Sequence, residues 1–218
     1  MRGVIWDLAE EGYLAVAADY MRKIKGDYKR SLFAWHCEKD VTAALEIVER
    51  EPLVDRERIA TLGFSQGGVF SLLIAAAVPE KVKTVVAYYP VTDFEHWLYD
   101  YRRTNPMQRA VFRIIRWYFR KESGARTEEE FRVKLKNASP LHHLNKIKAS
   151  VLLIHGELDR SAPVDESRRL YERLREAGID TELTVIPGAG HVFNFKDPQQ
   201  ATTAWDATLR WLYHHTRQ

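Results

Sequence analysis

A five-residue stretch, Gly63 to Gly67, constrains the fold of this chain more than any other feature of its sequence. The stretch reads Gly-Phe-Ser-Gln-Gly and ends an apolar segment, Ile59–Phe64, that has the length and composition of a buried strand. The residues Gln66–Val78 are almost wholly apolar, which predicts a helix that is buried on all sides. Small residues around a serine, between a strand and a helix, predict a sharp turn that exposes the serine hydroxyl at the end of the strand.

Helical and strand patterns alternate along the rest of the chain. The other segments that predict strands are Tyr13–Ala18, Lys83–Tyr89, Ser150–His155 and Thr181–Ile186. The other segments that predict helices are Arg2–Glu11, Asp40–Glu49, Val164–Ala177 and Ala201–His214. This alternation predicts an α/β architecture, with a mostly parallel sheet covered by helices on both faces. The length suits a single domain over residues 1–218.

Ser65 is the candidate nucleophile of the turn. Gly63 and Gly67 lie where a larger side chain would collide with the neighbouring strand or helix. The amide of Gln66, at the start of the predicted helix, can donate to the negative oxygen that forms when a serine attacks a carbonyl group. The alternative is a glycine-rich turn that has no catalytic role.

A serine hydroxyl is a weak nucleophile unless a base accepts its proton and a third group orients that base. Two later segments supply both groups, each just after a predicted strand. Asp159 is the candidate acid, with Glu157 as the alternative, and His191 is the candidate base. Because the carboxyl ends of parallel strands share one edge of a sheet, we expect these side chains to meet Ser65 there.

Other reactive side chains have simpler explanations. We expect His155 to pack at the end of its strand, and we expect four histidines on the surface: His142, His143, His214 and His215. Cys37 is the only cysteine, which excludes an internal disulfide, and we expect it to be a small apolar helix residue. The sequence has no zinc-site spacing, phosphate-binding loop or dinucleotide fingerprint, so we expect neither a metal nor a cofactor.

The overall composition is that of a soluble globular protein, with 45% hydrophobic residues. Its longest strongly apolar stretch, Val69–Val78, is too short to span a bilayer, and no N-terminal segment resembles a signal peptide. Together with the single cysteine, these features predict a cytoplasmic location and no membrane span.

A basic insertion, residues 91–149, separates two predicted strands. The part from Arg102 to Lys136 contains eleven Lys or Arg against four Glu, although the whole chain has a net charge of only +3. Within it, Gln108–Lys121 predicts an amphipathic helix with four residues facing inward: Val111, Ile114, Ile115 and Tyr118. We expect this helix to act as a lid over the substrate pocket, or else only to pack on the body with a solvated basic face. Membrane-surface association is a weaker alternative, and no nucleic-acid partner is expected.

Several stretches resemble the dienelactone hydrolase family of the α/β-hydrolases over nearly the whole chain. The matching stretches are Leu8–Tyr20, Gly63–Gly68, Val85–Tyr89, His155–Asp159, Pro187–Phe195 and Ala204–Leu209. The part from Ser139 to the loop that carries His191 is also similar to the catalytic domain of prolyl oligopeptidase-type peptidases. The resemblance implies a three-layer α/β-hydrolase sandwich, with the triad positions of the family on Ser65, Asp159 and His191.

The nucleophile differs from the one in dienelactone hydrolase itself, which has a cysteine where this chain has Ser65. The resemblance therefore implies a serine carboxylesterase that cleaves a small-molecule ester through an acyl-enzyme intermediate. Two alternatives stay open at this point. One is a peptidase of the prolyl oligopeptidase type, and the other is a non-catalytic scaffold with the same fold.

The family normally begins with three more strands, and the third leads into a loop that supplies one oxyanion donor. This sequence begins inside the first helix of the family pattern. We therefore expect the fold to lack its usual first three strands and one donor. Either the sequence is a fragment, or Tyr13–Ala18 pairs directly with Ile59–Phe64, or another chain, as in a homo-oligomer, fills the gap.

Overall fold

The computed structural model describes residues 2–18, 42–101 and 105–217. The chain divides into two compact units, the first ending at Glu57 and the second beginning at Arg58. Cys37 lies outside the described residues. The prediction of one domain over residues 1–218 stays a prediction.

The first unit contains helix α1, Arg2–Glu10, and helix α2, residues 42–48. Gly12, with a φ of 82°, follows α1 at the place where the sequence predicts its end. The predicted strand Tyr13–Ala18 is wrong, because these residues have no regular secondary structure, and Leu14 and Val16 are 51% and 59% exposed. An apolar run has strand propensity, but a strand forms only when a neighbour takes up its N–H and C=O groups.

The second unit contains a sheet whose strands are all parallel, in the order β1-β2-β3-β4. The strands are β1 (Ala60–Phe64), β2 (Thr84–Tyr88), β3 (Ser150–Gly156) and β4 (Thr181–Ile186). All four were predicted, with bounds that differ by one residue at most. Every residue of β2 and β3 is buried, as expected of central strands with helices on both faces. The α/β fold class is therefore confirmed.

Three helices pack on this sheet. They are α3 (Gln66–Ala77), α6 (Val164–Glu176) and α7 (Pro198–Thr216). Buried hydrogen bonds connect α7 to the central strand β2: the indole of Trp211 donates to Thr84 Oγ1 at 2.7 Å, and the Tyr88 hydroxyl lies 2.6 Å from Thr208 Oγ1. None of the described helices is both long and apolar enough to cross a membrane.

The basic insertion connects β2 to β3 and contains helices α4 (Pro106–Ser123) and α5 (Glu128–Asn137). The sequence predicted α4 but not α5, although Thr127 caps α5 by accepting the amide of Glu130 at 3.1 Å. A turn of π-helix, His96–Asp100, lies between β2 and α4.

The predicted inward face of α4 is wrong for two of its four residues, whereas Ile115 and Tyr118 are half-buried. Val111 and Ile114 are 46% and 65% exposed, whereas Phe112 and Phe119 contact the ring of Trp97, with centroid distances of 5.0 and 6.0 Å. Two sides of α4 carry large apolar residues. Met107 and Trp117 lie on the exposed side with Val111 and Ile114, and aromatic residues lie on the side that packs against Trp97. Periodicity alone could not decide which of the two is buried.

Candidate active site

A strained turn presents Ser65 between β1 and α3. Ser65 has φ 53° and ψ −115°, a conformation that a residue with a side chain rarely adopts. Its amide donates to the carbonyl of Tyr88, the last residue of β2, at 2.9 Å. The turn is therefore held by the neighbouring central strand.

Close backbone approach requires glycine in this turn. A Cβ on Gly63 would lie 2.1 Å from the carbonyl carbon and oxygen of Gly67, so β1 and α3 could not approach as they do. A Cβ on Gly68 would lie 3.1 Å from the carbonyl oxygen of Tyr88. Gly63 is thus explained as expected, whereas the tight contact of Gly68 was not predicted.

The three predicted site residues lie together at the carboxyl edge of the sheet. Ser65 Oγ is 3.0 Å from His191 Nε2, and His191 Nδ1 is 2.6 Å from Asp159 Oδ2. Ser65 follows β1, Asp159 follows β3 and His191 follows β4. With Nδ1 protonated towards Asp159, His191 presents Nε2 as an acceptor for the Ser65 hydroxyl. This is the geometry of a nucleophile, a base and an orienting acid.

Asp159 is held by backbone amides as well as by His191. Its Oδ1 accepts the amides of Ser161 and Ala162 at 2.8 and 2.9 Å. Burial by itself would raise the pKa of Asp159, but hydrogen bonds from His155, His191 and the Ala162 amide, with the charge of His191, hold it well below its usual range. Asp159 is therefore ionised at neutral pH and can stabilise a positive imidazolium on His191.

Glu157 and His155 have other contacts. Glu157 is exposed, and its Oε2 accepts the amide of Gly188 at 2.9 Å in the loop that leads to His191. His155 is fully buried, as expected; its Nδ1 lies 2.7 Å from Ser167 Oγ and its Nε2 lies 2.8 Å from the carbonyl oxygen of Ala162. His155 Nε2 is also 3.5 Å from Asp159 Oδ2. These contacts favour Asp159 as the acid and give His155 a supporting place beside it.

The sequence did not identify Tyr89 as part of the site. Its ring meets the imidazole of His191 at a centroid distance of 4.8 Å, and its hydroxyl donates to Asn194 Oδ1 at 2.6 Å. Burial, with the nearby Tyr88 and Asp159, raises the pKa of Tyr89, so the hydroxyl stays protonated. Tyr89 has a strained backbone, with a positive φ of 38° just after β2, and its ring lies against the imidazole.

Gln66 is the first residue of α3, so its amide has no acceptor within its own helix. The amide lies at the positive end of the helix dipole, directly after Ser65. It is therefore free of hydrogen bonding within α3.

The other histidines that the structure describes do not form a ligand cluster. Among residues 2–18, 42–101 and 105–217, no three His, Cys, Asp or Glu side chains are grouped as metal ligands. His143 Nε2 lies 2.8 Å from the carbonyl oxygen of Asn137, and His215 Nε2 lies 3.6 Å from Asp180 Oδ2. These contacts fix local loops and the end of α7.

Gly63→Ala tests the close approach in the turn. We expect this change to lower the free energy of unfolding by about 2–3 kcal/mol, because backbone atoms must move to admit the methyl group. Urea denaturation measures the change. Gly190→Ala is the matched control, since a Cβ there has no atom within 4 Å, and its effect should stay within about 0.5 kcal/mol. Equal losses in the two variants would contradict the explanation.

A second prediction concerns pH. Because the pKa of Asp159 is lower in the folded chain, its ionised form adds stability that is fully present above the unfolded pKa, about 3.9. That contribution is lost as the pH falls below this value towards the folded pKa. The stability difference between wild type and Asp159→Asn should shrink as the pH falls below about 4. Urea denaturation at each pH measures it, and the exposed Asp206→Asn is the control for loss of one charge. The same pH dependence in both variants would refute the assignment.

Known structures share this arrangement of elements, and several curated proteins are similar in sequence. The chain is similar to the acylaminoacyl peptidase of Pyrococcus horikoshii, with a TM-score of 0.70 and 19% identity, over 87% of this chain and 30% of that chain. This likeness establishes an α/β-hydrolase fold. The uncharacterized peptidase YtmA of Bacillus subtilis is 29% identical over 195 residues, 89% of this chain and 71% of the relative.

A probable 2-oxo-3-(5-oxofuran-2-ylidene)propanoate lactonase from a Bradyrhizobium species is 28% identical over 185 residues, 81% of this chain and 58% of the relative. This chain therefore spans little more than half of the lactonase and less than a third of the archaeal peptidase. Similarity alone does not carry the activities of these longer proteins to this chain.

Family membership differs from the first expectation. Residues 9–218 match the model of the prolyl oligopeptidase family, which extends the resemblance noted from Ser139 onwards to almost the whole chain. Membership in the dienelactone hydrolase family is not supported, although the shared α/β-hydrolase fold is. The turn around Ser65 and the loops of Asp159 and His191 belong to the fold as a whole, so they do not separate the two families. The chain belongs to the prolyl oligopeptidase family.

Proposed function

We propose that this chain is a serine peptidase in which Ser65 is the nucleophile, His191 the base and Asp159 the orienting acid. The observation that carries the proposal is the hydrogen-bonded series from Ser65 Oγ to His191 and on to Asp159, in a chain of a peptidase family. Family membership favours a peptide bond as the substrate, in place of the small-molecule ester expected first.

In the first half of the reaction, His191 Nε2 accepts the proton of the Ser65 hydroxyl while Oγ attacks the carbonyl carbon of the substrate. The ionised Asp159 stabilises the imidazolium that results. The amide of Gln66 donates to the oxyanion of the tetrahedral intermediate. When the intermediate collapses, His191 returns the proton to the leaving nitrogen and the acyl group stays on Ser65.

In the second half, His191 removes a proton from water, which attacks the acyl-enzyme. The proton then passes from His191 to Ser65 Oγ as the acid product leaves. Each of these steps uses side chains and amides of this chain, and none requires a metal or a cofactor.

An aromatic group at the start of the insertion is our proposed contact for a substrate side chain. It consists of Phe94, Trp97, Phe112 and Phe119, whose rings pack at centroid distances of 5.0 to 6.3 Å. The indole of Trp97 donates to the carbonyl of Ser161, two residues after Asp159, at 2.8 Å. This contact places the aromatic group next to the loop that carries Asp159, which we call the acid loop. It supports a role for α4 in covering the substrate.

Cleavage of an ester or lactone is the second candidate function. The similarity to the Bradyrhizobium lactonase favours it, and the same three residues could form an acyl-enzyme from an ester. An amide differs from an ester because its leaving nitrogen must be protonated, which makes the position of His191 more important for the peptidase.

The experiment that tests the catalytic proposal is labelling by a fluorophosphonate probe, with the mass of the product recorded. We expect one phosphonyl group per chain, no labelling of Ser65→Ala, and full labelling of the control Ser71→Ala, a serine within α3. Only an activated serine reacts at a useful rate. A folded chain that does not label, or a Ser65→Ala variant that does, would overturn the proposal.

A matched pair of substrates separates the two candidate functions. An N-acetyl amino acid p-nitroanilide and the p-nitrophenyl ester of the same acetylated amino acid differ only in the scissile bond. We expect the chain to cleave both, and we expect Ser65→Ala to abolish both activities. Ester cleavage with no amide cleavage would favour the lactonase-like alternative.

A further inference from the structure

A single peptide group, the one that joins Ser161 to Ala162, is hydrogen-bonded at both ends in the acid loop. Its N–H, on Ala162, donates to Asp159 Oδ1 at 2.9 Å. Its C=O, on Ser161, accepts the indole N–H of Trp97 at 2.8 Å. Because a peptide group is a rigid plane, the indole fixes the direction in which the N–H points towards Asp159.

The next peptide group is fixed in a similar way. The carbonyl of Ala162 lies 2.8 Å from Nε2 of the buried His155, and the following residue, Pro163, has no N–H to donate. The amide that Ala162 donates to Asp159 therefore belongs to a peptide group held by Trp97 from the insertion, and the peptide group that follows it is held by His155 from β3.

We propose that Trp97 is a positioning residue for Asp159, acting through the peptide group between Ser161 and Ala162. The proposal rests on the proposed catalytic function of Asp159. It means that the aromatic group around Trp97 is coupled to the triad, so a substrate side chain packed there affects the rate of bond cleavage as well as binding. Hydrogen bonds in series also polarise each other, which strengthens the hydrogen bond from the Ala162 amide to Asp159.

Trp97→Phe removes the indole donor and keeps an aromatic ring against Phe112. We expect the second-order rate constant for reaction with a small methylphosphonofluoridate to fall about tenfold, the loss expected for one hydrogen bond. A small probe has no side chain to pack on the aromatic group, so the loss reports positioning and not binding. The control Trp117→Phe, on the exposed side of α4, should keep the wild-type rate constant. An unchanged rate constant in Trp97→Phe would overturn the proposal.

A double-mutant cycle with Asp159→Ala separates positioning from a general structural effect. If Trp97 acts through Asp159, Trp97→Phe has little further effect on the rate constant once that carboxylate is removed. If the two single losses in the rate constant multiply in the double variant, the proposal is overturned.

Amide hydrogen exchange tests the contact without any need for catalysis. The Ala162 amide should exchange at least about fivefold faster in Trp97→Phe than in Trp117→Phe, because the peptide group that carries this amide is held less firmly. The wild type can fail to react with the fluorophosphonate probe while the Ala162 amide still exchanges faster in Trp97→Phe. In that case the proposed function fails and the positioning contact stands. Unchanged exchange would refute the contact itself.

A separate observation concerns a cleft of about 480 Å³ between α4 and the π-helical turn. Three arginines of α4 line it at spacings of four and three residues: Arg109, Arg113 and Arg116. Its remaining lining is apolar or aromatic, namely Leu98, Tyr99, Tyr101, Pro106, Ala110 and Phe112. Among the described residues, no acidic side chain lines it, so the cleft combines an apolar floor with a positive rim.

These arginines differ from several basic residues of the insertion that pair with carboxylates. Arg120 pairs with Glu128, and Arg132 and Lys136 pair with Glu95. Within the described part of the chain, no carboxylate lies within 4.0 Å of Arg109 or Arg113, and Arg116 lies over the ring of Tyr99 at 4.8 Å.

We infer that this cleft binds a carboxylate of a peptide, either an acidic side chain or a free carboxyl terminus. Arginine binds carboxylates with two parallel hydrogen bonds, and the apolar floor suits the carbon stem of the ligand. Leu98 lines the cleft and directly follows Trp97, which contacts the acid loop. A peptide at Ser65 could therefore extend towards the cleft, a point that rests on the proposed function.

Titration calorimetry with Ser65→Ala protein tests the cleft without turnover. The probes are hexapeptides rich in Glu or in Gln, each with a free or an amidated carboxyl terminus. We expect the Glu peptides to bind more tightly if side chains are recognised, and the free termini to bind more tightly if the terminus is. Adding Arg109→Gln and Arg113→Gln together should weaken that preference about tenfold, with Arg173→Gln on α6 as the control. Equal affinity for all four peptides, or no effect of the double change, would overturn the inference.

Discussion

The hydrogen bond from the Ser65 amide to the Tyr88 carbonyl is the constraint on which the candidate site depends. Ser65 has a backbone conformation that is unfavourable for a residue with a side chain, so its surroundings must enforce it. The bond does this from the end of β2, a strand that is buried along its whole length. The missing Cβ of Gly63 lets α3 approach closely enough to complete the turn. The position of the hydroxyl is thus determined by the centre of the sheet.

Parallel strand order brings the other two residues to the same edge, and backbone contacts then set their separation. The loops after β3 and β4 are joined by the amide of Leu158, which donates to the carbonyl of Ala189 at 2.8 Å. A Cβ on Gly156 would lie 2.6 Å from that same carbonyl oxygen, so glycine is required for the loops to meet. The 2.6 Å contact between Asp159 and His191 follows from this close pairing of loops.

The sequence predicted what is local and failed where partners are distant. Ser65 could be found because its flanking glycines and the strand and helix patterns beside it lie within one short stretch, although no pattern indicated the bond to Tyr88. Each strand of the sheet showed in its own apolar run. Tyr13–Ala18 failed because a strand needs a neighbour that the segment itself does not specify. The bond between Trp97 and Ser161 joins residues 64 positions apart, and no spacing in the sequence indicates it. The buried face of α4 likewise depended on where Trp97 lies.

Helix α6 holds both the root of the insertion, residues 92–96, and the loop that carries Asp159. Their positions are therefore rigidly coupled. Glu166, in the first turn of α6, is fully buried and accepts the amides of Thr92 and Asp93 at 2.9 and 2.8 Å. Its other oxygen lies 2.8 Å from His96 Nδ1. A buried carboxylate is stable only when its oxygens are satisfied, so this root cannot shift without a large cost. Because α6 begins at Val164, two residues after Ala162, the segment that carries Trp97 and the loop that carries Asp159 are both attached to this helix. The outer part of the insertion can therefore vary in shape and charge while the geometry at Ser65 is kept.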